Sequence, residues 1–228
     1  MKNKDKSKII IKTAAILIVT LEALICIVPF YLIVAASFMT ESEIITRGFS
    51  FWPKELSMGA YELVFRVPKT IIQAYGVSTF VTAAGTALGL FFTTMMAYVL
   101  SRTTCRYRDK MSFFIYFTTL FSGGMIPGYI WTTEYLHLKD NIWVLILPLM
   151  LSSWNILLMR NFMKGIPEEI AEAATIDGAG EFQVFYKFYL PLSKAGLATI
   201  GLFIALMYWN NWYQAMLYIN KRSSILRS

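Results

Sequence analysis

Histidine occurs once, cysteine twice, and charge is scarce: Asp, Glu, Lys and Arg make up 15% of the 228 residues. A soluble domain carries about 25% charged residues. The lone His137 and the separated Cys26 and Cys105 supply no metal-ligand cluster and no Cys/His nucleophile. Cys26 sits in an apolar run and Cys105 in a basic loop, so no disulfide is expected between them. No segment reads G-x-x-x-x-G-K-[ST], so this chain is not expected to bind ATP or to be an enzyme. Gly178-Ala179-Gly180 is only a weak dinucleotide echo with no strand before it. There is no internal repeat, no low-complexity stretch and no glycine-serine linker.

What is abundant is apolar surface. Hydrophobic residues make up 57% of the chain and aromatics 16%. Such a chain cannot cover itself with polar side chains and must use lipid as part of its solvent. This excludes a cytosolic enzyme, a secreted disulfide scaffold and a disordered tail protein. The net charge of +7 is then an orientation signal and not a nucleic-acid signal.

A helix needs about 20 apolar residues to cross a bilayer core. Five runs approach that length: 14–38, 72–100, 112–131, 141–158 and 195–219. The first follows a basic tail, residues 1–13, and is far longer than the apolar stretch of a signal peptide, so it reads as a retained span. Glu22 lies inside it, and Pro29 should kink or break it. The second is rich in Gly, Ala, Ser and Thr, which let helices approach closely in lipid. The third is interrupted by Ser122-Gly123-Gly124 and Pro127, and the fourth contains Pro148 and Asn155.

The expected fold class is all-α: a polytopic transmembrane helical bundle forming one domain, 14–228. Lys and Arg concentrate in the N-terminal tail, in 101–111 and in 160–194. These alternate segments should therefore be cytoplasmic, the N-terminus included. Arg102, Arg106, Arg108 and Lys110 are expected to anchor their loop in the inner leaflet.

Segment 160–194 is long and not polar throughout. Pro167, Glu168 and Glu169 suit a helix start. Ile170, Ala173, Ala174 and Asp177 share a face at helical spacing, and Asp177-Gly178 ends the helix with a left-handed glycine. A second short helix follows, with Phe182, Phe185 and Phe188, and Leu190-Pro191 should stop it. The hairpin either docks a protein or lies on the headgroups. Its acids, Glu168, Glu169, Glu172, Asp177 and Glu181, argue against simple adhesion to anionic lipid.

Glu172-Ala173-Ala174, three residues, Gly178, nine residues, then Phe188-x-Leu190-Pro191 resembles the EAA motif of permease subunits of binding-protein-dependent ABC importers. The family commonly has Ile where Phe188 stands. Ala97-Tyr98-Val99-Leu100-Ser101-Arg102, Ser122-Gly123-Gly124-Met125-Ile126-Pro127, Arg160-Asn161-Phe162 and Trp209-Asn210 extend the likeness to the carbohydrate-uptake branch. Within that branch it is similar to oligosaccharide and polysaccharide-fragment permeases of Gram-positive bacteria.

The resemblance implies the type I ABC importer permease fold in a bacterial plasma membrane. It implies a coupling helix carrying Glu172, Ala173, Ala174, Asp177 and Gly178. It implies as partners a second permease subunit, two ATPase subunits that hold ATP and Mg, and an extracellular solute-binding lipoprotein.

Gly123, Gly124, Trp154, Asn155, Trp209, Asn210 and Asn211 are candidates for a sugar path, since sugars want amide hydrogen bonds and an aromatic face; interhelical bonding or packing is the alternative for them. Glu22 reads as a gate or as an interhelical partner. A secondary transporter or channel using Glu22, or a non-transporting scaffold, are the rival functions. The resemblance also implies a sixth span beyond Ser228, so a truncated or frameshifted end is expected.

Overall fold

The computed structural model describes residues 2–121 and 123–220, apart from the side chains of residues 2–7, 9 and 10. Ser122 and the basic tail of residues 221–228 lie outside the described residues. The chain divides at Ile71 into two units. No strand occurs among the described residues.

The first unit opens with α1, Lys2–Ser37. Pro29 sits within it without ending it, so of the expected kink or break the break does not occur. Proline removes one backbone donor, and an apolar helix this long tolerates the loss. The side chains from Ile11 to Tyr31, Glu22 among them, are exposed, and an apolar surface of that length requires lipid or another protein.

Two short helices follow, α2 (Glu41–Arg47) and α3 (Gly59–Phe65). Thr40 caps α2 by accepting from the Glu43 N–H. Buried Glu43 accepts from the Lys54 N–H at 3.0 and 3.3 Å and thereby pins the loop after α2. Tyr31 donates to the Phe51 carbonyl at 2.9 Å and stacks on the Phe51 ring, so this segment folds back on the end of α1.

The second unit is organised by α4, Pro68–Ser101. Among the described residues, Ile11–Ser37 and Pro68–Ser101 are the helices long and apolar enough to cross a membrane, and three bent helix pairs would each make one further span. The remaining runs are broken helices. Residues 112–131 split into α5 (Arg108–Leu120) and α6 (Met125–Ile130), with Gly124 at φ +84° between them. Residues 141–158 form two 3-10 turns, Ile142–Leu145 and Leu147–Leu149, before α7, Ser153–Lys164, at a 52° bend.

The expected cytoplasmic loop at 160 therefore begins as helix. Pro148 is accommodated at the start of the 3-10 turn, where its missing N–H would have no intrahelical acceptor. The hairpin consists of α8 (Glu169–Ile176) and α9 (Glu181–Val184), which runs through a π turn, Phe185–Tyr189, into α10 (Leu190–Leu192). Pro191 thus lies inside the second arm, and the chain turns at Ser193 into α11, Lys194–Trp209, bent by 83°. The last run is also cut: Asn210 ends α11 and Asn211 caps α12, Trp212–Tyr218.

Glycines set how close these helices pack. A Cβ on Gly85 of α4 would meet the Tyr208 ring at 2.5 Å, and one on Gly89 would meet the Met150 carbonyl oxygen at 3.0 Å. On the other face of α11, a Cβ on Gly196 would meet Phe162 of α7 at 2.9 Å. Of the small residues read as close-approach positions in the second span, Gly85 and Gly89 serve as such here.

Candidate functional site

The α8–α9 hairpin rests on a seat of buried apolar side chains. Ala171 and Ala174 are 0% and 5% exposed and share a cluster with Met163, Val184, Phe185 and Tyr189. Burying a side chain the size of Val or Phe stabilises by about 1.5–3 kcal/mol each, so the seat keeps the inner face of the hairpin buried. The π turn inserts one residue into the second arm and carries both Phe185 and Tyr189 inward. Phe182 stays outside at 64% exposed.

This seat corrects the expected phase of α8. Ala173 and Ala174 do not act as a pair. Ala174 points into the seat, while Glu172, Ala173, Asp177 and Gly178 are exposed, with Ile176 beside them at 85%. Gly178 has φ +83°, the left-handed cap expected of it. The outer face thus combines acids with bare apolar surface from Ile176, Phe182 and Tyr186. Such a face is suited to a protein partner more than to an anionic membrane.

At the base of the hairpin the structure brings together residues that sequence reasoning kept apart. Arg102 is 5% exposed. Its guanidinium lies 3.5 Å from Glu168, at the start of the first arm, and 3.6 Å from Glu181, at the start of the second. It also donates to the Tyr189 hydroxyl at 3.5 Å and lies over the rings of Tyr98 and Tyr189 at 5.9 and 5.8 Å. Tyr98 donates to Glu181 Oε2 at 2.5 Å. Arg160 donates to the Leu100 carbonyl at 3.0 Å and ties α7 to the same corner.

Arg102 is therefore not the leaflet anchor expected of it; it is buried under the hairpin. Its position directly after Tyr98-Val99-Leu100-Ser101 was visible, but its partners lie on distant segments.

Electrostatics at this corner favour the ionised pair. Burial opposes the Arg102 charge, but the Tyr189 hydroxyl and the neighbouring phenols and Glu181 outweigh it, and its pKa is raised. Glu168 accepts from the Thr103 hydroxyl and, at 3.2 Å, from the Thr103 N–H. The Thr103 hydroxyl bond is the main reason its pKa is lowered; desolvation opposes this, while the Thr103 N–H, Arg102 and Arg108 support it.

A carboxylate with a folded pKa below its unfolded one stabilises above the ordinary range and loses that contribution as pH falls through the lowered value. Hydrogen exchange at the Thr103 amide, corrected for intrinsic rate, should stay protected down through the ordinary glutamate range and rise only as pH falls through the lowered value. Glu168→Gln should remove that pH dependence.

A second feature opens where α11 breaks. A cleft of about 370 Å³ is lined by Val77, Ser78, Val81, Leu145, Tyr208, Trp209, Asn210, Asn211, Trp212 and Ala215. Tyr208 donates to the Ile146 carbonyl at 2.8 Å and braces one wall. Asn210 Nδ2 donates to the Leu206 carbonyl at 2.9 Å, and Asn211 Oδ1 accepts from the Gln214 N–H at 3.3 Å. The two asparagines thus cap the broken helices while facing the cleft.

Of the candidate path residues, Trp209, Asn210 and Asn211 meet here. Trp154, exposed on α7, buried Asn155 in its first turn, and Gly123 and Gly124 before α6 do not line this cleft. Val77, Ser78, Val81, Leu145, Tyr208, Trp212 and Ala215 were missed, because small, apolar and aromatic residues do not reveal in sequence which of them border a void.

Broken apolar helices around a cleft, with a hairpin whose outer face is exposed, fit a membrane transport component. The chain belongs to the family of binding-protein-dependent transport system inner membrane components, which it matches over residues 33–220, and it is a plasma-membrane protein.

It is 44% identical over 196 residues to the protein LplC of Bacillus subtilis (strain 168), covering 86% of this chain and 66% of that one. It is 42% identical over 198 residues to the polygalacturonan/rhamnogalacturonan transport system permease protein YtcP of the same organism, covering 87% of this chain and 68% of that one. The chain thus spans about two thirds of the length of these relatives. Its fold matches a chain in the crystal structure of a bacterial ABC transporter involved in the import of the acidic polysaccharide alginate. That match has TM-score 0.81 and 32% identity, covering 94% of this chain and 76% of that one.

Proposed function

We propose that this chain is a permease subunit of an ATP-driven carbohydrate importer, with oligosaccharides as its substrate class. It contributes half of a translocation path and pairs with a second permease subunit in a bacterial plasma membrane, its N-terminus cytoplasmic. The α8–α9 hairpin docks on one of two separate ATPase subunits, which hold ATP and Mg. An extracellular solute-binding lipoprotein delivers the substrate. The observation that carries this reading is the hairpin itself: a rigid buried seat on one side, and Glu172, Ala173, Ile176, Asp177 and Gly178 presented outward on the other.

The cleft supports the substrate class. Two indoles offer apolar faces for sugar rings, and two amides stand beside them. Its lining includes no Lys or Arg, so it suits ring faces and hydroxyls more than carboxylates. The names of the similar proteins support carbohydrate as the class, although those of YtcP and the alginate importer specify acidic polysaccharides, which is why both neutral and uronic-acid sugars belong in the test.

The test is ATP-dependent uptake of labelled oligosaccharides, neutral and uronic-acid, by the assembled importer. Glu172→Lys should reduce uptake at least about tenfold, equivalent to about 1.4 kcal/mol, while the chain stays in the membrane. Trp209→Ala should raise the sugar concentration needed for half-maximal uptake. Uptake unchanged by Glu172→Lys would remove the coupling assignment.

A further inference from the structure

Both arms of the hairpin end at one buried cation. Glu168 precedes α8 and Glu181 opens α9, and both carboxylates reach Arg102. Arg102 is the residue directly after α4, the long helix of this unit. Tyr98, one turn earlier on α4, repeats the link by donating to Glu181 and packing edge-on against Tyr189 at 4.9 Å. Two helix arms are thus tied to a third element through a single planar, multidentate group.

We propose that Arg102 is a positioning residue of the coupling machinery: a buried latch that makes the hairpin and the inner end of α4 move as one body. The inference rests on the coupling reading above. Apolar packing alone allows the hairpin to slide on its seat, because dispersion contacts are non-directional. The Arg102 fork removes that freedom, because it holds the two arms at fixed directions from one point. Without it, a push on the hairpin is absorbed as slip at the seat and does not reach α4.

The test uses the assembled importer in lipid nanodiscs, with nitroxide labels at exposed Gln183 on α9 and exposed Val99 on α4, in a background where Cys26 and Cys105 are replaced by serine. Pulsed-EPR distances and sugar transported per ATP hydrolysed are measured on the same samples. The parent should give one narrow distance distribution. Arg102→Ala should broaden it at least about twofold and lower transport per ATP at least about tenfold, with the ATPase still co-purifying. Arg102→Lys, which keeps charge but loses the fork, should fall between them.

If Arg102→Ala does not accumulate, Glu168→Gln with Glu181→Gln decides instead, since both carboxylates lie at the surface side of the latch and should give the same broadening. A narrow distribution and unchanged transport per ATP in the deciding variant would overturn the latch. Failure of the parent chain to hold any ATPase would instead overturn the coupling reading on which it rests.

Discussion

Ala173→Arg should strip the ATPase from the purified importer while leaving this chain folded in the membrane, and Ala174→Arg should unseat the hairpin itself. The two alanines are neighbours about 100° apart on α8, yet one is exposed and the other buried. Ala173 is exposed on the outer face of α8, where a long cationic side chain meets no part of this chain. It obstructs only what docks there and halves the local negative charge of Glu172 and Asp177. Ala174 is 5% exposed against Val184, Phe185 and the rest of the seat.

An unpaired charge in that position costs several kcal/mol, more than the seat can absorb without opening. Affinity pull-down should show ATPase recovery lowered at least about tenfold for Ala173→Arg, with normal membrane levels. For Ala174→Arg, limited proteolysis should cut within residues 165–193 under conditions where the parent is intact. Identical behaviour of the two variants would contradict the phase of α8 described here.

Gly85→Val should lower the thermal stability of the detergent-solubilised protein by about 3 kcal/mol. A Cβ at Gly85 lies 2.5 Å from Cε2 and Cζ of Tyr208, so the ring must leave its place. Overpacking costs about 1–3 kcal/mol, and the lost hydrogen bond from Tyr208 to the Ile146 carbonyl adds about 1 kcal/mol. The cleft wall formed by Tyr208 should be lost with it.

Gly76→Ala on the same helix is the control. Nothing lies within 4 Å of a Cβ at Gly76, and alanine is better than glycine in a helix by up to about 1 kcal/mol. The pair is read by melting curves. A Tyr208→Ala change should relieve part of the Gly85→Val cost, giving clear non-additivity. If Gly85→Val melts with Gly76→Ala, the close approach of α4 and α11 is wrong.

The long spans and the hairpin were legible because their signals are local. α1 and α4 follow from apolar length, and α8 follows from Pro167, the paired acids and Gly178. The bends were only half legible. Pro148 and Asn210-Asn211 marked the interruptions, but whether a proline breaks a helix depends on its neighbours: Pro29 does not end α1, while Pro148 sits in a 3-10 turn.

The phase of α8 was misread because alanine carries little phase information. One methyl group is worth about 0.8 kcal/mol on burial, so Ala171, Ala173 and Ala174 look alike in sequence. Their separation is decided by the larger Val184 and Phe185 opposite them. Arg102 was misplaced for a different reason. A cation at the end of a span ordinarily marks the interface, and its partner Glu168 stands 66 residues further on. Only tertiary structure joins them.

The turn at Ser193 has a mechanical consequence. The second hairpin arm, Glu181–Leu192, meets α11 at 83°, close to a right angle. A displacement along that arm has almost no component along the axis of α11. It would act crosswise, at one end of the helix, and turn it about the point where Gly196 leaves no clearance against Phe162 of α7. Such a joint has the geometry of a bell crank: a push along the arm would swing the far end of α11, where Trp209 and Asn210 border the cleft, sideways instead of driving it through the bilayer like a piston.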